Sequence, residues 1–184
     1  MARSLINTDG GACMAKVILS AQARQAIRAD MLQRPRIEAC GLLIGEITPA
    51  GDWIADKALP LRNARNSSVR FEFDSVELLE CDLAYGKDII GVYHSHPGGP
   101  PYPSGIDTGN MENLQDSPWV WLIASFSGRR GPATDSEADE LSIAAYRHDP
   151  QNGLQIIPIF LAPAARDNRA KSDEAIESLD QNNS

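Results

Sequence analysis

The sequence predicts an α+β or mixed α/β fold, with a central, mostly antiparallel sheet flanked by helices. Three observations carry this. Short apolar, β-branched runs alternate with stretches of helical character, as Val17-Ile18-Leu19 does with Ala21 to Gln33. Two strand-like runs are separated only by Thr48-Pro49-Ala50-Gly51, a hairpin signal. Val120-Trp121-Leu122-Ile123-Ala124-Ser125 has the continuous apolar profile of a central strand.

Taken in order, Val17 to Leu19 is a first short strand, and Ser20 caps a helix from Ala21 to about Gln33 that ends before Pro35. Glu38 to Ile47 and Asp52 to Leu61 form the hairpin strands, and Arg62 to Arg70 is a polar loop. After the short extended piece Phe71-Glu72-Phe73, Asp74 or Ser75 caps a helix through Val76, Leu78, Leu79, Leu83 and Tyr85, stopped by Gly86. Asp88 to Tyr93 reads as a buried strand, and a Gly-Pro-rich loop leads from it to a helix through Met111, Glu112 and Leu114. Leu141 to Arg147 and Leu154 to Leu161 are the last strands. Residues 1–13 read as a flexible extension, with Met14 a natural domain start, and 14–163 as one catalytic domain. Residues 164–184 read as a disordered polar tail, with a turn or two of helix around Ala175 to Leu179.

Composition narrows the function. The 184 residues are 42% hydrophobic, enough for one domain with its own core. A net charge of −8 argues against nucleic acid, whose binders need basic patches. No run approaches a transmembrane length, and the first residues lack the apolar core of a signal peptide. The three cysteines, Cys13, Cys40 and Cys81, fit neither a disulfide framework nor a Cys-x-x-Cys site, and read as reduced thiols in a cytoplasm.

The chemistry concentrates at His94-Ser95-His96-Pro97, which uses two of the three histidines. On a strand His94 and His96 share a face and can reach one metal ion. Asp107, from the next element, adds a carboxylate, and two nitrogens with one oxygen leave a tetrahedral position open for water. A His-x-His pair is equally at home on a polar strand end. Ser104 to Asp107 also resembles a capping box that opens a helix, a reading compatible with a metal role. Glu38 stands before an apolar, glycine-punctuated run, either exposed after the preceding helix or buried in a site.

Glu38 with Cys40-Gly41-Leu42-Leu43-Ile44-Gly45, then His94-Ser95-His96-Pro97, seven residues between His96 and Ser104, and two more before Asp107, resembles the JAMM/MPN+ (JAB domain) signature. Asn63-Ala64-Arg65-Asn66 leading to Phe71-Glu72-Phe73-Asp74 is similar to the family's linker. The resemblance runs from about Ala15 to about Ala162 and is closest to short bacterial stand-alone members. It implies an MPN fold similar to cytidine deaminases and a zinc metalloprotease with one Zn²⁺ held by His94, His96 and Asp107. Glu38 would be the general base and Ser104 the oxyanion donor. The implied substrate is the C-terminal tail of a ubiquitin-like protein, cut at a peptide or isopeptide bond. Release of a small amino-acid adduct from a sulfur-carrier protein and a non-catalytic binding module are the alternatives. The loops Arg62 to Arg70 and Thr108 to Pro118, where the family carries insertions, are short here. A zinc deaminase needs His-x-Glu and Pro-Cys-x-x-Cys, and neither is present.

Residues outside this set read more plainly. Ser95 faces away from the metal, while Cys40 shares the face of Glu38 and is otherwise a buried thiol. Trp119 and Trp121 belong to the core, Trp53 has an exposed hairpin position, and His148 is a surface residue. Arg62, Arg65 and Arg70 are solvated charge or a contact for an acidic partner. Oligomeric state is left open.

Overall fold

Eight strands form one mixed sheet in the order β7-β6-β5-β4-β2-β3-β1-β8. They are β1 (Val17–Leu19), β2 (Cys40–Ile47), β3 (Trp53–Leu61), β4 (Ile89–Ser95), β5 (Val120–Ser127), β6 (Glu140–Asp149), β7 (Gly153–Ile157) and β8 (Ile159–Leu161). The helices are α1 (Ala21–Gln33), α2 (Ser75–Tyr85) and α3 (Gly105–Asn113). This computed structural model describes residues 14–127 and 140–162. The expectations for 1–13 and 164–184, including a helical turn at Ala175 to Leu179, lie outside the described residues. Among the described residues no helix is long and apolar enough to cross a membrane.

The helices begin where the capping chemistry places them. Ser20 Oγ accepts from the Ala23 amide at 3.0 Å, and Asp74 Oδ1 accepts from Val76 and Glu77. Gly86, with φ +45°, ends α2 in a conformation that penalises a side chain. The Thr48-to-Gly51 turn closes the β2–β3 hairpin through the Gly51 N–H to Thr48 carbonyl bond at 2.9 Å.

Two apolar layers hold the sheet. On one face Ala23, Ile27 and Met31 of α1, spaced at i, i+4 and i+8, pack against Leu43, Trp53, Ala55 and Tyr93. On the other, Leu78, Cys81 and Tyr85 of α2 and Met111 of α3 meet Leu42, Val92, Trp121, Ile123 and Tyr146. Burying Ile27 and Met31 contributes about 1.5–3 kcal/mol each. Gly41 lets β2 approach β3 and β4 closely, since a Cβ there would collide with the Leu59 carbonyl and the Tyr93 ring.

Three expectations are corrected. Leu154 to Leu161 is not one strand: Pro158 divides it into β7, paired with β6, and β8, paired with β1. These lie at opposite ends of the strand order, so the sheet curls until its two edges meet across a single residue. Trp53 is buried, not exposed, packed in the layer under α1; its Nε1 donates to the Pro118 carbonyl at 2.7 Å. His148 is largely covered, its Nε2 lying 3.7 Å from Glu112 of α3.

Candidate metal centre

Strand β4 is the platform of the site. A register irregularity opposite Leu43 and Ile44 resets its alternation, so Val92 and His94 face α2 and α3. His94 is fully buried, its ring stacked on Phe71 at 4.8 Å and set edge-on to Trp121 at 6.5 Å. His96 lies one residue past β4 but keeps sheet register, its amide donating to the Ala124 carbonyl at 2.9 Å. The two Nε2 atoms come to 3.2 Å of each other, as a shared face requires.

Asp107 enters from α3. Ser104 is the N-cap and Asp107 is N3 of a complete capping box: the Asp107 amide donates to Ser104 Oγ at 3.2 Å, and the Ser104 amide donates to Asp107 Oδ2 at 2.7 Å. The box therefore orients the carboxylate as well as starting the helix. Asp107 Oδ1 lies 3.2 Å from His94 Nε2, and Oδ2 lies 3.3 Å from His96 Nε2.

These separations fit a zinc ion. Tetrahedral bonds of about 2.0–2.1 Å place neighbouring ligand atoms roughly 3.3 Å apart. His96 Nδ1 sits 3.0 Å from the Pro100 carbonyl, which only accepts, so Nδ1 carries the proton and Nε2 presents its lone pair. His94, His96 and Asp107 are the one group of this kind among the described residues.

Their electrostatics follow from burial and mutual contact. Burial raises the Asp107 carboxyl, but hydrogen bonds with His94, His96 and Ser104 outweigh it and hold the group well below the usual carboxylate range. Burial dominates at His94 and pushes its pKa down, which keeps the ring neutral. At His96 burial is overcome by hydrogen bonds to Asp107 and Pro100 and by the charges of Asp107 and Glu38, so its pKa is raised.

Glu38 precedes β2 rather than opening it, which corrects the expected strand start. Its backbone is clamped instead. The Glu38 amide donates to the Ser67 carbonyl at 2.8 Å, and its own carbonyl accepts from Asn63 Nδ2 at 3.1 Å. The carboxylate lines a cleft of about 210 Å³ with Ser68, Val69, His96, Pro97, Gly99 and Ser104. Its Oε2 is buried with no hydrogen-bond partner among the described residues, a costly arrangement for a purely structural acid. Burial pushes its pKa up to about 7; the His96 charge opposes the rise and the Asp107 charge adds to it.

All five residues singled out in the sequence thus converge on one cleft and its wall. Ser95 points to the opposite side, as expected. Cys40 is a buried thiol, its Sγ directed at the Leu61 carbonyl 3.7 Å away and its pKa pushed up to about 12 by burial. Arg62 pairs with Asp74 and Arg65 with Glu72, so both are neutralised within their own loop region. The sequence placed Asn63 in the family-like linker but gave it no role; it is a buried side chain that also gathers the Arg70 carbonyl and the Arg65 and Glu72 amides. It sits in a polar run, and nothing local sets it apart.

The family model of prokaryotic homologs of the JAB domain (Prok-JAB) matches residues 20–141. The chain belongs to the Prok-JAB family. Among the relatives of this Prok-JAB protein is a desampylase from Haloferax volcanii, 34% identical over 139 residues, spanning 70% of this chain and 96% of the relative. A desampylase from Pyrococcus furiosus is 32% identical over 109 residues, spanning 58% and 72%. COP9 signalosome complex subunit 5 of Dictyostelium discoideum is 32% identical over 124 residues, but the match spans only 36% of that protein. A Desulfitobacterium hafniense protein solved in solution superposes with a TM-score of 0.63 at 25% identity, covering 83% of this chain and 97% of that one.

Proposed function

We propose that this Prok-JAB protein is a zinc-dependent peptidase or isopeptidase that cuts the bond after the C-terminal tail of a ubiquitin-like protein. The observation that carries the reading is the cluster of His94 Nε2, His96 Nε2 and the Asp107 carboxylate, whose two oxygens each lie 3.2–3.3 Å from one of the imidazoles, with Glu38 lining the adjoining cleft. The activity for which both archaeal relatives are named supports a hydrolase acting on a ubiquitin-like protein.

A zinc ion held by the three side chains supplies a Lewis acid and acidifies water towards neutrality. Glu38, fixed by its backbone clamps, accepts a proton from the attacking water and delivers it to the leaving nitrogen. The water oxygen bonds to the carbonyl carbon, the carbon–nitrogen bond breaks, and the amine leaves protonated. Ser104 Oγ accepts from the Asp107 amide, which leaves its own hydrogen free to donate to the oxyanion. Such a donor is worth about 3–4 kcal/mol in the transition state. Val69 and Gly99 also line the cleft, residues that would suit an extended chain with little side-chain bulk.

The test is incubation of the zinc-loaded protein with ubiquitin-like and sulfur-carrier proteins carrying C-terminal extensions, read by intact mass. Cleavage at the end of the tail of a ubiquitin-like fusion is the expected result. Release of only a small adduct from a sulfur carrier would replace the substrate. Failure to bind zinc, with no hydrolysis of any fusion, would overturn the reading.

A further inference from the structure

The loop Gly98 to Pro103 joins the two histidines to Ser104, so its path decides where Ser104 and Asp107 stand. Three of its six residues are prolines, which lack an N–H, and the loop can be tied down chiefly through its carbonyls. Its internal bonds are local: Gly99 N–H to the His96 carbonyl at 3.3 Å and Tyr102 N–H to the Pro100 carbonyl at 2.9 Å. Two consecutive carbonyls also meet side chains, Pro100 O in addition to its bond from Tyr102. Pro100 O accepts from His96 Nδ1 at 3.0 Å, and Pro101 O accepts from Tyr146 Oη at 2.9 Å.

Tyr146 comes from β6, 45 positions further along the chain. Its ring is buried in the layer formed with Trp121, Ile123 and Met111, beside the Trp121 that packs against His94. Among the described residues it makes the one hydrogen bond to this loop from outside the His96–Asp107 segment. Gly98, at φ +74°, holds a backbone conformation that favours glycine at the start of the loop.

We propose that Tyr146 is a positioning residue. Its hydroxyl holds Pro101 so that the Pro100 carbonyl stays against His96 Nδ1 and Ser104 stays at the cleft wall. It touches neither substrate nor metal, and acts through the loop. The tie fixes the tautomer of His96 and the orientation of its Nε2, and it sets the placement of the oxyanion donor. The kinetic part of this inference rests on the function proposed above, whereas the loop and metal parts do not need a substrate.

The test compares Tyr146→Phe with Tyr93→Phe. Tyr146→Phe keeps the ring that fills the core. Tyr93→Phe removes another buried hydroxyl, the one bonded to Asp30 at 2.8 Å on the opposite face of the sheet. Amide exchange at Gly98, Gly99 and Tyr102 is expected to quicken at least tenfold in Tyr146→Phe with β4 amides unchanged. Release of zinc to a chelator should quicken several-fold, and kcat should fall about tenfold with KM within threefold. Tyr93→Phe should lower thermal stability and leave all three readouts at the wild-type level. A folded Tyr146→Phe protein with wild-type loop exchange and zinc release overturns the inference. Wild-type inactivity on every fusion would instead overturn the proposed function and leave the exchange result standing.

Discussion

Ser95 and Ala39 are bonded to each other twice: the Ser95 amide donates to the Ala39 carbonyl at 2.9 Å, and the Ala39 amide donates to Ser95 Oγ at 2.9 Å. The residue between the two histidines is thereby locked to the residue after Glu38. The candidate metal ligands and the proposed base, far apart in sequence, share one hydrogen-bonded joint. Alternation along β4 sends the Ser95 side chain away from the candidate metal centre, and that is what makes it available for this tie.

Ser95→Ala should therefore separate zinc binding from turnover. It leaves the buried Ala39 amide without its side-chain acceptor, costing about 1–3 kcal/mol. Zinc stoichiometry should hold, while kcat falls roughly tenfold because the Glu38 segment loosens, an effect of order 1.4 kcal/mol. Metal analysis with steady-state kinetics decides this, and wild-type kcat in a destabilised variant would show the joint to be structural only.

The metal set makes its own prediction. His94→Ala and Asp107→Asn should each abolish stoichiometric zinc binding, and Asp107→Asn should also weaken the α3 cap by about 1 kcal/mol. Protons compete with the metal for the same ligands. The His96 pKa is raised, so zinc affinity should begin to weaken at a pH above the ordinary histidine range and go on falling as pH drops through it. Competition with a chelator at pH 7.5 and 5.5 measures this, and equal affinity at both values would count against His96 as a ligand.

Much of this site was legible before the structure, for a physical reason. The candidate ligands lie at short, countable spacings on a strand and on a helix N-terminus, where side-chain direction follows from local geometry. The caps Ser20, Asp74 and Ser104 were legible for the same reason. What escaped depends on distant partners. Pro158 sends β7 and β8 to opposite sheet edges, which no local pattern encodes. Trp53 is buried by the Pro118 loop, Asn63 by the segment it organises, and Tyr146 reaches the metal loop from another strand. Glu38 was recognisable only through its company in the signature; its backbone is held by Ser67 and Asn63, partners from another loop.

Gly41→Ala should be among the most damaging single-methyl changes in the chain. The added Cβ meets backbone at Leu59, which cannot swing aside, and the ring of Tyr93, which precedes His94. Overpacking of this kind costs about 1–3 kcal/mol. Urea unfolding should show the loss, and the displaced β4 should lower zinc affinity at the same time. Unchanged stability would mean that β2 and β3 separate more easily than their register implies.

Glu38 gives the metal-free protein a pH-dependent stability that can be isolated by one substitution. Burial is the main cause of its raised pKa, about 7 in the folded protein against 4.5 for the free group. Between those values the folded chain binds a proton that the unfolded chain has released. Stability contributed by that proton is full below 4.5 and is lost as pH rises through 7, at no more than about 1.4 kcal/mol per pH unit. Glu38→Gln carries no such titration. In chelator-treated protein the variant should match wild type near pH 4.5, show a growing advantage as pH rises, and be more stable by roughly 1–3 kcal/mol at pH 8. A bound cation favours the carboxylate, so zinc should shrink that advantage while Glu38→Gln remains inactive. Paired urea titrations at pH 4.5 and 8, with and without zinc, provide the measurement. A pH-independent difference between the two proteins would show that Glu38 is not held as a desolvated carboxyl, and would remove the physical basis for assigning it the proton transfer.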